Sequence, residues 1–216
     1  MPRLVAFGCS HTYGESLPDC ITNDPPPPPS KFSWPNMLSK KLPLGIDKCM
    51  NLAQCGSSNK EIHFKILKSN FEKDDLVVVL WTHVDRSCFL TDKGLKQMLP
   101  SYTQKRKDNP KQRRIENVAY YEHLYSKENA EYETFVSIDH AYRYLNTFGV
   151  KQHHFTFSRK GVDPISSTLD KTPGWFSPAL KNLDLLPDLG YDNHHPGVKA
   201  HADMADQIYK HIEETK

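Results

Sequence analysis

Residues 76–81 read Leu-Val-Val-Val-Leu-Trp, a continuous apolar run dominated by β-branched valine. A strand in the middle of a parallel sheet is covered on both faces, so it lacks the polar alternation of a half-exposed strand. Asp75 precedes the run and Thr82 follows it, which delimits a segment of strand length. The sequence therefore predicts a central parallel strand here.

Upstream of this strand the chain alternates between strand-like and helix-like segments. Residues 3–8 and 46–52 are short runs with the character of strands. Ser33 can cap one helix between them, and Ser58 to Glu61 form a capping box for a second helix. The order strand, helix, strand, helix, strand predicts an α/β fold with a parallel sheet and helices on both faces.

Downstream of the central strand a polar insertion, residues 87–131, interrupts this alternation. We expect the insertion to be irregular at first and then mainly helical around 112–128. The alternation then resumes with a helix over 133–148, a strand over 153–158 and a last helix over about 197–214. All of these elements fit one domain, residues 1–216.

The composition of the 216-residue chain excludes several classes of protein. The formal net charge is +2, and no apolar run approaches the ~20 residues of a membrane span. Five cysteines without a Cys-x-x-Cys pair favour reduced thiols over a disulfide framework or a zinc ribbon. Because the first residues, Met1 to Gly14, lack an apolar signal region, we expect a cytoplasmic protein that has no membrane partner.

Two further segments each have a structural and a functional interpretation. Five consecutive prolines, Pro25 to Pro29, predict an exposed polyproline-type loop that is either a spacer or a docking segment. The insertion carries a basic run that we interpret as a solvated face rather than a nucleic-acid site, because the net charge is nearly balanced. The members of this run are Lys105, Arg106, Lys107, Lys111, Arg113 and Arg114.

The first candidate site is Gly8-Cys9-Ser10-His11-Thr12, directly after the first strand. Ligands of open α/β sheets bind at the carboxyl ends of the strands, and we expect a serine on a sharp turn there to be exposed. The stretch lacks the GxxxxGK[ST] pattern of a phosphate loop and the GxGxxG pattern of a dinucleotide site. It also lacks GxSxG, because Thr12 replaces the second glycine. An ordinary turn is the competing interpretation.

Two further polar stretches fall at the same predicted edge of the sheet. Residues 51–59 follow the second strand and contain Gly56, whose backbone can turn N–H groups towards a ligand. Asp192-Asn193-His194-His195 precedes the last helix, and an Asp paired with a His three residues later leaves the imidazole free to act as a base. The alternatives are a turn glycine and solvated histidines, or a metal site built from Asp192, His194, His195 and His201.

In this order along the chain, the three stretches resemble the SGNH (GDSL-like) hydrolase family. The matching features are a first-strand Gly-x-Ser, an Asn-x-Ala-x-x-Gly after the second strand and an Asp-x-x-His before the terminal helix. The insertion and the strand His-His-Phe-Thr-Phe look like the bacteriophage-type branch of that family. The resemblance implies a flavodoxin-like three-layer α/β/α sandwich with a central parallel sheet and a mainly helical insertion after the third strand.

The resemblance also implies a role for individual positions. Ser10 matches the nucleophile, His195 the general base and Asp192 the acid that orients the base. The backbone N–H groups of Ser10 and Gly56 match two donors of an oxyanion hole. Cys9 stands where the family has the acidic residue of its Gly-Asp-Ser motif, and its thiol is the closest rival nucleophile.

One departure from the family pattern concerns the third donor of the oxyanion hole. The family has Gly-x-Asn after the third strand, whereas this chain has Leu80-Trp81-Thr82-His83. Thr82 lies at the equivalent place and His83 is the alternative donor. The loss of one such donor costs roughly 10²–10³ in rate, so the departure bears on rate more than on reaction type.

The function that the resemblance implies is that of a serine esterase which needs no metal or organic cofactor. Its expected substrates are small-molecule or glycan esters, such as O-acetylated sugars. The alternative, raised by the missing Asn, is a catalytically weak or inactive scaffold that acts as a binding or virion-associated module.

Overall fold

The computed structural model describes residues 2–21, 27–42, 48–92, 94–105, 110–156, 180 and 187–215. Its helices and strands alternate as the sequence predicts up to the third strand. In chain order they are β1 (Arg3–Phe7), α1 (Ser10–Tyr13), α2 (Trp34–Lys41), β2 (Lys48–Asn51), α3 (Asn59–Lys68), β3 (Leu76–Leu80), β4 (Ser87–Thr91), β5 (Gly94–Met98), a 3₁₀ turn (Pro100–Thr103), α4 (Lys111–His123), α5 (Lys127–Asn146), β6 (Lys151–Phe155) and α6 (Val198–Glu214).

A parallel sheet forms the centre of the described part of the chain, with its strands in the order β2-β1-β3-β6. In order of appearance these parallel strands follow the 2-1-3-4 pattern of flavodoxin-like sheets. Val5 of β1 is in register with Met50 of β2 and with Val77 of β3. The carboxyl ends of β1, β2 and β3 therefore meet at one edge, where the first two candidate stretches and Thr82 follow their strands.

Helices cover both faces of this sheet, which confirms the three-layer α/β/α architecture. The residues of β3 are all buried, as expected of a central strand. Alternate side chains of β1 point to opposite sides, so Leu4 packs in a cluster with α2 and α6, and Val5 packs in a second cluster with α3 and α5. The fold thus has two apolar cores, one on each face of the sheet.

The insertion differs from the prediction in its first half. Residues that we expected to be irregular form an antiparallel hairpin of β4 and β5, closed by Gly94 with a φ of 102°. The hydroxyl of Tyr121 on α4 donates to the carbonyl groups of Asp85 (2.7 Å) and Met98 (3.0 Å), which fixes the hairpin against that helix. The mainly helical second half is confirmed by α4.

Several element boundaries also differ from the prediction. The helix expected from residue 133 begins at Lys127, because the Ser126 hydroxyl accepts a hydrogen bond from the Asn129 N–H and caps it there. The strand expected over 153–158 begins at Lys151, and residues 157 and 158 lie outside the described ones. Ser33 precedes α2 as expected, but its hydroxyl donates to the Ser30 carbonyl group (2.6 Å) instead of capping the helix.

A buried ion pair fastens the start of β1 to the start of β3. The guanidinium group of Arg3 donates to both carboxylate oxygens of Asp75, at 2.9 and 2.6 Å, and the Asp75 side chain is fully buried. Burial alone would raise the pKa of Asp75, but the hydrogen bonds from Arg3 and from the Glu72 N–H outweigh it and lower the pKa. The carboxylate is therefore stabilised in its charged form.

Replacing Asp75 by Asn is expected to lower the free energy of unfolding by about 1–3 kcal/mol at pH 7, because Arg3 loses its charged partner. Since the pKa of Asp75 is lower in the folded chain than in the unfolded chain, its stabilisation is complete above about pH 4 and is lost as the pH falls through the folded pKa. Urea unfolding should therefore show a smaller difference in the free energy of unfolding between wild type and variant at pH 3 than at pH 7. Asp74→Asn, which changes an exposed neighbouring carboxylate, is the control. An equal loss in the free energy of unfolding in this control would refute the role assigned to the Arg3–Asp75 ion pair.

Candidate active site

The turn after β1 brings Ser10 to the edge of the sheet. A side chain at Gly8 would place its Cβ 2.1 Å from the Thr12 hydroxyl oxygen, so this turn closes only around a glycine. Ser10 then begins the single turn of α1, and Gly14, with a φ of 84°, ends it. The predicted location is confirmed, but the predicted exposure is wrong, because only 2% of Ser10 is accessible.

The hydroxyl group of Ser10 faces the neighbouring thiol. Its hydrogen-bond contact is with Cys9 Sγ at 4.0 Å, a long and weak contact. Cys9 is also fully buried, so exposure does not distinguish the two candidate nucleophiles. A reactivity measurement is therefore needed to distinguish Ser10 from Cys9 as the nucleophile.

The stretch after β2 is fastened to the Ser10 turn by hydrogen bonds. The Gln54 N–H donates to the Gly8 carbonyl group (3.2 Å), and the Asn51 amide donates to the Thr12 carbonyl group (2.7 Å). Gly56 adopts a φ of 74°, in the left-handed region that favours glycine. The first two candidate stretches therefore lie side by side, as the sequence predicts.

Two backbone donors on these stretches have no partner. Among the hydrogen bonds of the described residues, neither the Ser10 N–H nor the Gly56 N–H has an acceptor. Backbone donors that are left without a protein partner at a sheet edge are available to a ligand. These are the two groups that the sequence assigns to an oxyanion hole.

Thr82 follows β3 at the same edge and is held by a side chain that the sequence analysis does not single out. Its N–H donates to Asn59 Oδ1 (2.7 Å), and Asn59 Nδ2 donates to the Thr82 carbonyl group (3.0 Å). The Thr82 hydroxyl is buried and has no hydrogen-bond partner in the described part of the chain. Asn59 appears in the sequence only as the first residue of a capped helix, which conceals this second role. His83, the alternative donor, is half-buried.

The hairpin reaches the Gly56 turn, which the sequence does not anticipate. The Gln97 amide of β5 donates to the Cys55 carbonyl group and to the Glu61 carboxylate, both at 3.0 Å. Glu61 therefore does not complete the predicted capping box, although the Ser58 hydroxyl does accept from the Glu61 N–H. The insertion thus stabilises the Gly56 turn at this edge of the sheet through Gln97.

Asp192 and His195 form the predicted pair on the loop before α6. Asp192 Oδ2 accepts from His195 Nδ1 at 2.5 Å, and Asp192 Oδ1 accepts from the N–H groups of His194 and His195, each at 3.0 Å. Burial alone would raise the pKa of Asp192, but these hydrogen bonds outweigh it and hold the pKa far below its ordinary value. The carboxylate fixes both the loop and the orientation of the imidazole.

Asp188 anchors this loop to the last helix. Its carboxylate accepts from the N–H groups of Lys199 (3.0 Å) and Ala200 (2.9 Å), which are free donors in the first turn of α6. A side chain at Gly197 would collide with this carboxylate, since its Cβ would lie 2.4 Å from Asp188 Cγ. His195 therefore lies on a loop that Asp188 fixes to the start of α6.

The free nitrogen of His195 faces Glu15 rather than Ser10. His195 Nε2 lies 3.3 Å from Glu15 Oε2, and the imidazole also meets the ring of His11 edge-on, with the ring centroids 5.9 Å apart. Among the described residues no hydrogen bond joins Ser10 to His195. The structure thus places His195 against the segment that carries Ser10, but the sequence does not anticipate the contact with Glu15.

The alternative metal interpretation gains no support. His201 lies in the core, where its Nδ1 accepts from the Trp34 N–H at 3.1 Å, and burial lowers its pKa to about 3. In the part of the chain that the structure describes, no three His, Cys, Asp or Glu residues are grouped to hold a metal ion. Across the same residues, no helix has the length and hydropathy that a bilayer crossing requires.

Only part of two other predicted features lies in the described residues. Pro25 and Pro26 fall outside them, as do Arg106 and Lys107 of the basic run. The guanidinium group of Arg113 lies over the Tyr102 ring, 3.6 Å from its centroid, which is a cation–π contact within the insertion.

The chain resembles known proteins in its fold. No family model matches the chain, and no curated protein matches it. Among solved structures, one similar protein is a carbohydrate esterase whose active site is described as having divergent catalytic and non-catalytic binding functions (TM-score 0.58, 12% identity, 98% of this chain and 68% of that one).

Two other solved structures with a similar fold are also ester-hydrolysing or lipolytic proteins by description. One is described as a lipolytic protein of the G-D-S-L family from Desulfitobacterium hafniense (TM-score 0.52, 11% identity, 96% of this chain and 98% of that one). The other is an acetyl xylan esterase from the rumen bacterium Butyrivibrio proteoclasticus (TM-score 0.52, 16% identity, 99% and 64%). These comparisons give no support to the bacteriophage branch. At such low identities the likeness concerns the fold alone, and the chain has the three-layer fold of these esterases and lipolytic proteins.

Proposed function

We propose that the protein is a serine esterase with Ser10 as nucleophile, His195 as general base and Asp192 as the group that orients the base. The observation that carries this proposal is the Asp192–His195 pair, held at 2.5 Å on a loop that contacts the Ser10 turn. The likeness in fold to esterases supports it.

In the proposed reaction His195 Nε2 takes the proton of the Ser10 hydroxyl while Oγ attacks the carbonyl carbon of the ester. The carbonyl electrons move to the oxygen, and the intermediate collapses as the alcohol leaves with the proton from Nε2. Water then gives a proton to Nε2 and its hydroxide to the acyl carbon, and Ser10 departs with that proton. Asp192 keeps Nδ1 protonated and stabilises the imidazolium ion in each half.

The developing oxyanion would be held by the N–H groups of Ser10 and Gly56. Both donors lack a partner among the described residues, so neither has to give up a hydrogen bond when the charge forms. The Thr82 hydroxyl, which is buried and has no partner within the ranges that the structure describes, is our third donor, in place of the family's Asn.

Replacing Thr82 by Val tests this third donor with little change of shape. We expect kcat to fall by about 10- to 100-fold if the hydroxyl donates in the transition state. The free energy of unfolding should change by less than about 1 kcal/mol, because the buried hydroxyl has no partner to lose. Steady-state kinetics and urea unfolding measure the two effects, and an unchanged kcat would remove Thr82 from the site.

For substrate we propose small acyl esters such as O-acetylated sugars. Two of the similar structures are a carbohydrate esterase and an acetyl xylan esterase, and the analogy rests on them. Hydrolysis of acetylated oligosaccharides, followed by release of acetate, would test it.

The rival proposal, an inactive binding module, is favoured by one specific observation. Ser10 is 2% exposed, and His195 Nε2 contacts Glu15 instead of the hydroxyl. A fluorophosphonate probe distinguishes the two, because it labels only an activated serine. We expect labelling that maps to Ser10 by peptide mass analysis and is absent in Ser10→Ala. A folded wild-type protein that takes up no probe would favour the binding module.

A further inference from the structure

Glu15 lies beside the imidazole of His195. Its Oε2 is 3.3 Å from His195 Nε2. Burial raises the pKa of the Cys55 thiol, in the residue before Gly56, and the charge and hydrogen bond of Glu15 raise that pKa further. Glu15 follows the one-turn helix that Ser10 begins, and its N–H donates to the Ser10 carbonyl group (3.2 Å). The carboxylate therefore borders the site from the nucleophile's own segment.

This contact is incompatible with the first step of the proposed reaction. The Nε2 lone pair must accept the Ser10 proton, whereas a contact with a carboxylate requires Nε2 to donate. Nδ1 already faces Asp192, at 2.5 Å. A carboxylate therefore lies at each ring nitrogen, and Glu15 occupies the side of Nε2 from which the Ser10 hydroxyl would have to approach.

The Glu15–His195 contact is more accessible to solvent than the serine. The Glu15 and His195 side chains are 27% and 23% accessible, whereas Ser10 is 2% accessible. A molecule in solvent can therefore reach this contact more readily than the hydroxyl.

We propose that Glu15 is a gate of the active site, whose carboxylate holds His195 away from Ser10 until an entering substrate displaces it. This inference rests on the proposed esterase function. Because the carboxylate and the ester compete for the same place, the resting enzyme is held in a state that cannot take the serine proton. Opening requires the Glu15 side chain to rotate away from Nε2, which frees that nitrogen to accept the Ser10 proton.

The test compares wild type with Glu15→Gln, which keeps size but loses charge, and with Glu15→Ala, which empties the space. Glu128→Gln is the matched control, since Glu128 is an exposed carboxylate on α5, away from the site. The rate of fluorophosphonate labelling should rise about two- to fivefold in both Glu15 variants, the range over which partly exposed ion pairs bias an equilibrium. The control should label at the wild-type rate. Labelling that is equal to wild type or slower in the Glu15 variants would overturn the gate.

A second readout does not depend on whether Ser10 reacts. In ¹⁵N spectra of the histidine rings, with His195 assigned by its loss in His195→Ala, the Nε2 signal reports the contact with Glu15. This signal should change in Glu15→Gln, because the carboxylate partner is gone. Identical His195 signals in the two proteins would refute the gate. If no variant takes up the probe, the esterase proposal fails, while these spectra still decide the Glu15 contact.

Discussion

Replacing Ser10 by Ala is expected to abolish the hydrolysis of p-nitrophenyl acetate, with a loss in kcat of about 10⁴-fold or more. The reason is that Ser10 forms the acyl-enzyme in the proposed reaction, so the residual rate of the variant comes only from binding and from the oxyanion donors. The variant should fold normally, because the lost hydroxyl contributes only a weak contact with Cys9 at 4.0 Å. Steady-state kinetics together with circular dichroism measure the two effects.

Cys9→Ala is the control for this experiment. It removes the rival nucleophile one residue away and should retain much of the activity, at the cost of some stability, because the Cys9 side chain is fully buried. The opposite pattern, with Cys9→Ala inactive and Ser10→Ala active, would assign the reaction to the thiol.

Replacing His195 by Ala is expected to lower kcat by a comparable factor of about 10⁴, because the serine loses the group that takes its proton. The substitution also leaves the Asp192 carboxylate without the ring that it orients, although the Asp192 contacts with backbone N–H groups should keep the loop in place. Single-turnover kinetics with an activated ester would place the loss in the acylation step.

His194→Ala provides a neighbouring control. The His194 side chain is exposed, and its contact with Asp192 is made by the backbone N–H, which alanine keeps. We expect wild-type kcat in this variant. A loss in His194→Ala that equals the loss in His195→Ala would mean that the loop as a whole, rather than one imidazole, is required.

The sheet could be predicted from the sequence because its signals are local. The run Leu76–Leu80 is buried along its whole length and appears as a strand without reference to the rest of the chain. The β4–β5 hairpin could not be predicted in this way. In β4 only Ser87 and Cys88 are buried and the remaining residues are exposed, so neither alternation nor a continuous apolar run marks it. Its position depends on contacts with α4 that only the fold creates.

The site could be predicted only where its residues are neighbours in sequence. Asp192 and His195 are three residues apart, and their pairing follows from that spacing. The contact between Glu15 and His195 joins the two ends of the chain, and no spacing rule anticipates it. Asn59 has a local role as the first residue of α3, and only the packing of α3 against the end of β3 reveals its contacts with Thr82.

The Gln97 contacts with the Cys55 carbonyl group and with Glu61 have a consequence for how this protein can change. The hairpin is a surface addition to the sheet, and additions of this kind tolerate exchange better than core strands do. Here the Gln97 side chain of the hairpin stabilises the turn that contains the Gly56 N–H. If the proposed esterase reaction takes place, variation in the hairpin would therefore change its rate while the sheet, Ser10 and His195 stay untouched, and evolution or a protein engineer could adjust the rate away from these residues.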